Sequence, residues 1–131
     1  MLRISVDNLD KLFEAISGKQ TLYIPADRND GAAEYKKFKS GMKMSEKLNT
    51  LRSAKDFFFP QTENLVDFKM EGKKIEVIDN RKESEDFVVF GVRACDARSF
   101  TILDKVFLVD PVDSYYKNRR DHGTIVTMAC T

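Results

Sequence analysis

Two short apolar runs near the C-terminal end constrain the fold more than any other feature of the chain. Phe87 to Phe90 is a continuous apolar run that ends at Gly91, as expected for a strand buried on both faces. Thr124 to Met128 is a second apolar run, and helical patterns fill the sequence between the two. Strands joined through a helix run parallel in the same sheet, so we expect a parallel strand–helix–strand unit here.

The intervening sequence predicts two helices. Asp96 is a residue type that caps helices, and the helix after it has an apolar face formed by four residues: Phe100, Leu103, Val106 and Phe107. Pro111 follows this helix, and 114–120 is expected to form a second, short and very polar helix.

The N-terminal half predicts one helix and two strands. Asp7 is the expected N-cap of a helix whose apolar residues recur at helical spacing up to the stop at Gly18. Thr21 to Ile24, closed by Pro25, predicts a strand, and 32–38 favours another. Residues 41–50 are polar and are expected to be irregular.

The middle of the chain predicts a helical turn and a β-hairpin. In 53–59, Ala54, Phe57 and Phe58 share a helical face before Pro60 ends the element. Runs 65–70 and 73–78 flank Gly72, which indicates a hairpin, and 80–85 is a charged loop.

The fold class predicted from these elements is α/β, with a small mixed sheet. A parallel strand–helix–strand unit forms its C-terminal half, and a β-hairpin lies near the middle. The length of 131 residues suits a single α/β domain covering 1–131. Because the chain stops one residue after Cys130, we expect it to be a fragment of a longer protein.

Composition and charge exclude several classes of function. The net charge of +1 gives no broad electrostatic case for nucleic acid or a membrane surface as partner. No apolar run approaches the roughly 20 residues of a membrane span, and the first residues lack a signal-peptide pattern. A cytoplasmic location is therefore expected, and a structural disulfide is not.

Two cysteines mark the candidate site. Ligands in doubly wound sheets bind beyond the carboxyl ends of the strands. One apolar run delivers Arg93, Cys95 and Asp96 to that edge, and the other delivers Cys130. Cys95 also starts a helix, where main-chain N–H groups and the nearby Arg98 favour an anion such as a thiolate. A thiolate binds iron, and the same setting suits a phosphate or the pyrophosphate of a flavin.

Other interpretations of these cysteines stay open. A lone cysteine is often only a small buried apolar side chain. Two cysteines cannot complete a four-thiolate cluster, so further ligands would come from missing sequence, a partner or a residue such as Asp96. A thiol-redox pair of Cys95 with Cys130 is a third interpretation, although the chain has no CxxC motif.

Three further features favour structural roles. His122 precedes the last strand, so it is expected at the opposite sheet edge and on the surface. The basic and aromatic run 115–120 is typical of a solvated helix with one packed aromatic face, although it could also dock a partner. Lys55, among phenylalanines, is expected to extend its stem along apolar surface.

The chain resembles a family of iron–sulfur electron-transfer proteins. Residues 91–99, Gly-Val-Arg-Ala-Cys-Asp-Ala-Arg-Ser, are similar to a segment of the iron–sulfur subunit of anaerobic sulfite reductases and of sulfhydrogenase beta subunits. The likeness extends to 53–63, 103–107, 115–120 and 124–130, although the family commonly has proline where this chain has Ala94.

The resemblance implies an electron-transfer subunit of an anaerobic oxidoreductase, with other subunits of that complex as partners. It also implies 4Fe-4S clusters, completed by cysteines beyond Thr131, and it makes Cys95 and Cys130 candidate ligands. A more distant likeness to beta subunits of deazaflavin-reducing hydrogenases suggests a flavin near the same edge. The isolated domain is expected to be inactive.

Overall fold

The computed structural model describes residues 3–47, 49–79, 81 and 85–129. The strands in this part of the chain are β1 (Thr21–Asp27), β2 (Ala33–Lys37), β3 (Val66–Glu71), β4 (Lys74–Asp79), β5 (Phe87–Arg93) and β6 (Gly123–Met128). The α-helices are α1 (Leu9–Ser17), α2 (Ala94–Phe107) and α3 (Ser114–His122), and 3-10 helices cover Val6–Asn8 and Ala54–Phe57.

The main sheet has the strand order β2-β1-β5-β6. β5 runs parallel to both β1 and β6, whereas β2 is antiparallel to β1. The register joins Phe87 to Gly123 at one end of the β5–β6 pair and Arg93 to Met128 at the other. The predicted α/β class, with a mixed sheet and a parallel strand–helix–strand unit, is confirmed.

Hydrophobic clusters cover both faces of this sheet. Val88 belongs to the cluster that includes Phe13 of α1, whereas its neighbour Val89 belongs to the cluster that includes Phe100 of α2 and Tyr116 of α3. Successive side chains of a strand point to opposite faces, so β5 is buried on both sides. This burial explains why the sequence of β5 is continuously apolar instead of alternating.

Two strands extend further than the sequence indicates. β1 continues through Pro25, which lies beyond the last β1–β5 pair, Tyr23 with Val89. Pro25 pairs with Tyr35 of β2, but its carbonyl accepts a hydrogen bond from the Ser45 amide of the irregular segment 41–50. Because the nitrogen and carbonyl of one strand residue point to the same side, the proline nitrogen faces that segment, and the β1–β2 ladder needs no N–H there. β5 likewise continues past Gly91 to Arg93.

Helix starts differ from the predicted caps. Asp7 lies inside the 3-10 turn before α1 and does not cap that helix. α2 begins at Ala94, so Asp96 lies in its first turn and is not its N-cap. Phe100 is buried and Leu103 and Phe107 pack against the same cluster, but Val106 is 59% exposed and its assignment to the apolar face is wrong.

The predicted hairpin is confirmed as a separate two-stranded sheet of β3 and β4. Gly72 in its turn has a φ of +64°, which favours glycine. Of the predicted charged loop 80–85, residues 80 and 82–84 lie outside the described residues. In the part of the chain described, no helix has the length and apolar content to cross a bilayer.

Candidate functional site

A β-bulge shapes the carboxyl end of β5. The pairing with β6 skips a residue between Phe90 and Val92, and Gly91 between them has a φ of +79°. A Cβ atom at Gly91 would lie 3.1 Å from Cγ of Pro25, which is closer than an ordinary contact. Glycine is therefore required both by the backbone conformation and by the close approach of β1.

Tyr35 of β2 fixes this bulge from the side. Its hydroxyl donates a hydrogen bond of 3.2 Å to the Gly91 carbonyl. Burial, with a smaller contribution from the negative charge of Asp96, raises the pKa of Tyr35 to about 12. The phenol therefore stays protonated, and remains a donor, through the neutral range.

Cys95 lies in the first turn of α2, two residues beyond the end of β5. Its side chain is exposed and free. The interpretation of Cys95 as a small buried apolar residue is therefore wrong. The thiol lies at the helix end where main-chain N–H groups lack helical partners.

Asp96 is held by Lys55. The Nζ atom of Lys55, in the 3-10 helix Ala54–Phe57, lies 2.6 Å from Oδ1 of Asp96, and both side chains are partly buried. The sequence predicts that the stem of Lys55 extends along apolar surface, but it does not predict the ion pair with Asp96. The prediction that Asp96 caps α2 is wrong, because Asp96 lies inside the first turn. Its carboxylate is paired with the ammonium group of Lys55.

Arg93 points its guanidinium toward the irregular segment, where it donates a hydrogen bond to the side chain of Asn49. Arg98, one turn into α2, is exposed. Arg93 directly precedes α2 and Arg98 lies one turn into it, so both are within three residues of Cys95 in the sequence.

Cys130 lies outside the described residues, so its proximity to Cys95 stays a prediction. The described part of β6 reaches the same sheet edge, because Met128 pairs with Arg93. Within the described ranges, no group of three or more histidine, cysteine, aspartate or glutamate side chains is arranged to hold a metal ion. These residues therefore do not by themselves fit a complete iron–sulfur cluster.

The polar helix α3 is tied into the fold by a partly buried ion pair. Arg120 donates to both carboxylate oxygens of Asp104 on α2, at 2.8 and 2.9 Å, and the Tyr116 hydroxyl donates to the same carboxylate at 2.7 Å. The hydrogen bond from Arg120 is the largest influence on the pKa of Asp104. Together with the weaker effects of the Tyr116 hydrogen bond and the Arg120 charge, it outweighs burial and holds that pKa below its usual value. Burial and the Asp104 hydrogen bond raise the pKa of Tyr116.

Two basic residues of α3 are engaged within the chain. The guanidinium of Arg120 lies over the Phe58 and Phe100 rings, and Arg119 pairs with Glu63. The alternative of a solvated helix with a packed aromatic face therefore fits α3 better than a free basic docking surface.

The opposite sheet edge has its own polar features. Nδ1 of His122 lies 2.7 Å from a carboxylate oxygen of Asp86, at the amino ends of β5 and β6. The predicted position of His122 away from the Cys95 edge is confirmed. A cleft of about 510 Å³ also opens at this edge, between Lys19, Lys37 and Glu85.

Sequence reasoning missed Tyr35, Asn49 and the ion-pair role of Lys55. Only Gly91 carried a local signal, because an isolated glycine in a strand pattern indicates a bulge. The others reach the site across 41 to 56 residues of sequence. No local pattern encodes such contacts.

A known protein matches part of this chain clearly. Sulfhydrogenase 2 subunit beta of Pyrococcus furiosus is 36% identical over 81 residues, which is 62% of this chain and 23% of that relative. The match therefore spans about a quarter of the relative's length. No family model matches the chain. No solved structure matches it either. The predicted resemblance to the sulfhydrogenase beta subunit family is confirmed.

Proposed function

Starting from the relationship of this chain to the sulfhydrogenase beta subunits, we propose that it is part of an electron-transfer subunit of a hydrogenase-type oxidoreductase complex. The complex works in the cytoplasm, and the other subunits are the partners of this chain. The chain holds one side of a redox site, and we assign no catalytic role to the residues that the structure describes. The likeness to anaerobic sulfite reductases leaves the final substrate of the complex open.

The exposed Cys95 in the first turn of α2 carries the site assignment. The thiol is accessible, it lies in the first turn of a helix, and Arg93 and Arg98 lie close to it in the sequence. Thiolates are the ligands that iron–sulfur clusters use. We assign Cys95 as a cluster ligand on these grounds and on the family resemblance, and Cys130 on the family resemblance alone.

The described residues would fill a supporting role around such a cluster. A 4Fe-4S cluster would supply one-electron transfer, and its remaining ligands would come from outside these two cysteines. Lys55 holds Asp96 at 2.6 Å and so fixes the first turn of α2, on which Cys95 lies. Because its carboxylate is paired with Lys55, Asp96 is a positioning residue in this proposal and not a ligand.

Anaerobic purification from the native host tests the proposal. The chromosomal copy carries an affinity tag, and iron, acid-labile sulfide and the EPR spectrum of the reduced complex are measured. We expect a hydrogenase-type catalytic subunit to co-purify. Flavin fluorescence after acid release tests the second cofactor that the resemblance implies.

Paired serine substitutions then test Cys95. Cys95→Ser should remove one cluster signal and the corresponding iron, whereas Ala94→Ser, which places the same hydroxyl at the adjacent exposed position, should retain both. An unchanged iron content and spectrum in Cys95→Ser would remove Cys95 from the site. Purification without redox-active subunits would refute the wider proposal.

A further inference from the structure

The β3–β4 hairpin carries an exposed apolar face that its own fold leaves uncovered. Directly opposed residues of an antiparallel pair share a face, and the register joins Phe68 to Val77 and Met70 to Ile75. With Val66, these residues form what we call the hairpin face. All five are between 40% and 70% exposed. Asp79, opposite Val66 at the base of the hairpin, lies on the same side and is paired with Arg81.

The opposite face of the hairpin is polar. It carries five charged residues and one apolar residue: Asp67, Lys69, Glu71, Lys74, Glu76 and Ile78. Apolar and charged residues therefore alternate along both strands, which is typical of a strand pair with one face in water and the other packed against an apolar surface.

The described residues give the hairpin little support. It forms a sheet of two strands alone, and every residue of β3 is exposed. Its base is anchored to α3, where Tyr115 donates to the Leu65 carbonyl and Arg81 donates to the Ser114 hydroxyl. An isolated hairpin is only marginally stable in water, so packing of the hairpin face would stabilise it.

We propose that the hairpin face is a self-association surface, which packs against the same face of a second copy of this chain around a two-fold axis. A second copy offers a surface of identical size and twist, as an isologous interface requires. The five apolar side chains carry no charge, and Asp79 at the edge of this face is paired with Arg81, so face-to-face packing buries no unpaired charge.

The available area and the net charge are compatible with this dimer. At these exposures the hairpin face offers roughly 500 Å² on each copy, so the pair would bury roughly 1,000 Å², the lower bound for a specific interface. A net charge of +1 produces little repulsion between two copies. The interface is small, so we expect a dimer that dissociates in the micromolar range.

Light scattering across a concentration series tests the dimer. The wild-type chain is measured from about 1 to 200 µM, with a reductant present so that the exposed Cys95 cannot form disulfides. We expect the weight-average mass to rise from that of one chain toward that of two. A single-chain mass at all concentrations would overturn the proposal. It is also the result expected if a different protein, and not a second copy, covers this face.

Two double variants locate the interface. Phe68→Thr with Val77→Thr changes a directly opposed pair on the hairpin face, and threonine keeps a high strand propensity. Lys69→Thr with Glu76→Thr changes the adjacent opposed pair on the polar face and leaves the net charge unchanged. Circular dichroism checks that both variants keep the fold.

Only the first variant should lose the dimer, with its dissociation constant raised at least tenfold. Retention of the dimer by Phe68→Thr with Val77→Thr, or an equal loss in the polar-face control, would overturn the assignment of this surface. If the first variant unfolds, Met70→Thr alone replaces it, because Met70 lies nearer the turn and is 70% exposed.

Discussion

Lys55 and Asp96 join two distant parts of the chain at the candidate site, with 2.6 Å between Nζ and Oδ1. Lys55 belongs to the 3-10 helix that follows the irregular segment, and Asp96 belongs to the first turn of α2. The pair therefore fixes the start of the helix that carries Cys95. It also occupies a carboxylate that would otherwise be available to a metal ion.

A double-mutant cycle on this pair should show a small but measurable coupling. Because the side chains are 36% and 26% exposed, solvent screens their attraction. We expect a coupling free energy of about 0.2–1 kcal/mol between Lys55→Met and Asp96→Asn, as for other partly exposed pairs. Urea unfolding of the wild type, both single variants and the double variant measures it.

Lys105→Met provides the control for this cycle, because Lys105 is exposed on the same helix. Combined with Asp96→Asn, it should give additive changes in the free energy of unfolding. A coupling for Lys55 that is no larger than that for Lys105 would contradict a stabilising ion pair.

The sequence predicted most of the sheet, because the burial of its strands follows from short-range patterns. The apolar run of β5 predicted burial on both faces, which Val88 and Val89 confirm by belonging to different clusters. Val106 shows the limit of pattern matching. At 3.6 residues per turn it lies roughly 120° around α2 from Phe100, so it faces away from the core.

Much less of the candidate site could be predicted. The position of Cys95 in the first turn of a helix at a strand end follows from local sequence. The contacts of Tyr35 and Lys55 do not, because they depend on how β2 and the 3-10 helix pack against β5 and α2. Such contacts result from the tertiary fold, which no local spacing specifies.

Replacement of Gly91 by alanine should destabilise the fold in two ways. The φ of +79° is strained for any residue with a Cβ, and that Cβ would lie 3.1 Å from Cγ of Pro25. We expect a loss of roughly 2–4 kcal/mol in the free energy of unfolding, combining left-handed strain with overpacking. Chemical denaturation followed by circular dichroism measures the change.

Gly41→Ala separates the two causes. Gly41 has a φ of +82°, but no atom lies within 4 Å of a Cβ built there. Its substitution should therefore cost only the backbone strain, about 1–2 kcal/mol. Equal losses at Gly41 and Gly91 would show that contact with Pro25 contributes nothing.

Acid should weaken the link between α2 and α3. The pKa of Asp104 is lowered in the folded protein, chiefly by its hydrogen bond from Arg120, relative to the ordinary value of 3.8. A carboxylate whose pKa is lowered in the folded state stabilises the fold at pH values above its unfolded-state pKa. This stabilisation is lost as the pH falls through the folded-state pKa. Below pH 3.8 the contribution of Asp104 should therefore decline.

Asp104→Asn isolates that contribution from those of other carboxylates. The free energy of unfolding is measured from pH 7 down to pH 3 for the wild type and the variant. The variant should be less stable at pH 7, and the difference should shrink toward pH 3. A difference that is independent of pH would contradict the proposed role of the Asp104 charge.

Gly123, the first residue of β6, should be intolerant of any side chain for a reason unrelated to its backbone. Its φ of −93° is ordinary for a strand, but an added Cβ would lie 2.3 Å from Cε1 of Phe58 and 2.7 Å from Cζ of Phe87. Gly123→Ala should therefore cost roughly 1–3 kcal/mol through overpacking, despite a gain in strand propensity. Thermal and urea unfolding measure the loss.

Gly18→Ala is the matched control, because Gly18 has a helical φ of −72° and its nearest neighbour to an added Cβ is at 3.5 Å. That substitution should be neutral or stabilising by about 0.4–1 kcal/mol. A second variant tests the cause directly: Phe58→Leu shortens the obstructing ring, so Gly123→Ala should cost less in that background than in the wild type. Strict additivity of Gly123→Ala and Phe58→Leu would show that the ring of Phe58 is not what excludes a side chain at Gly123.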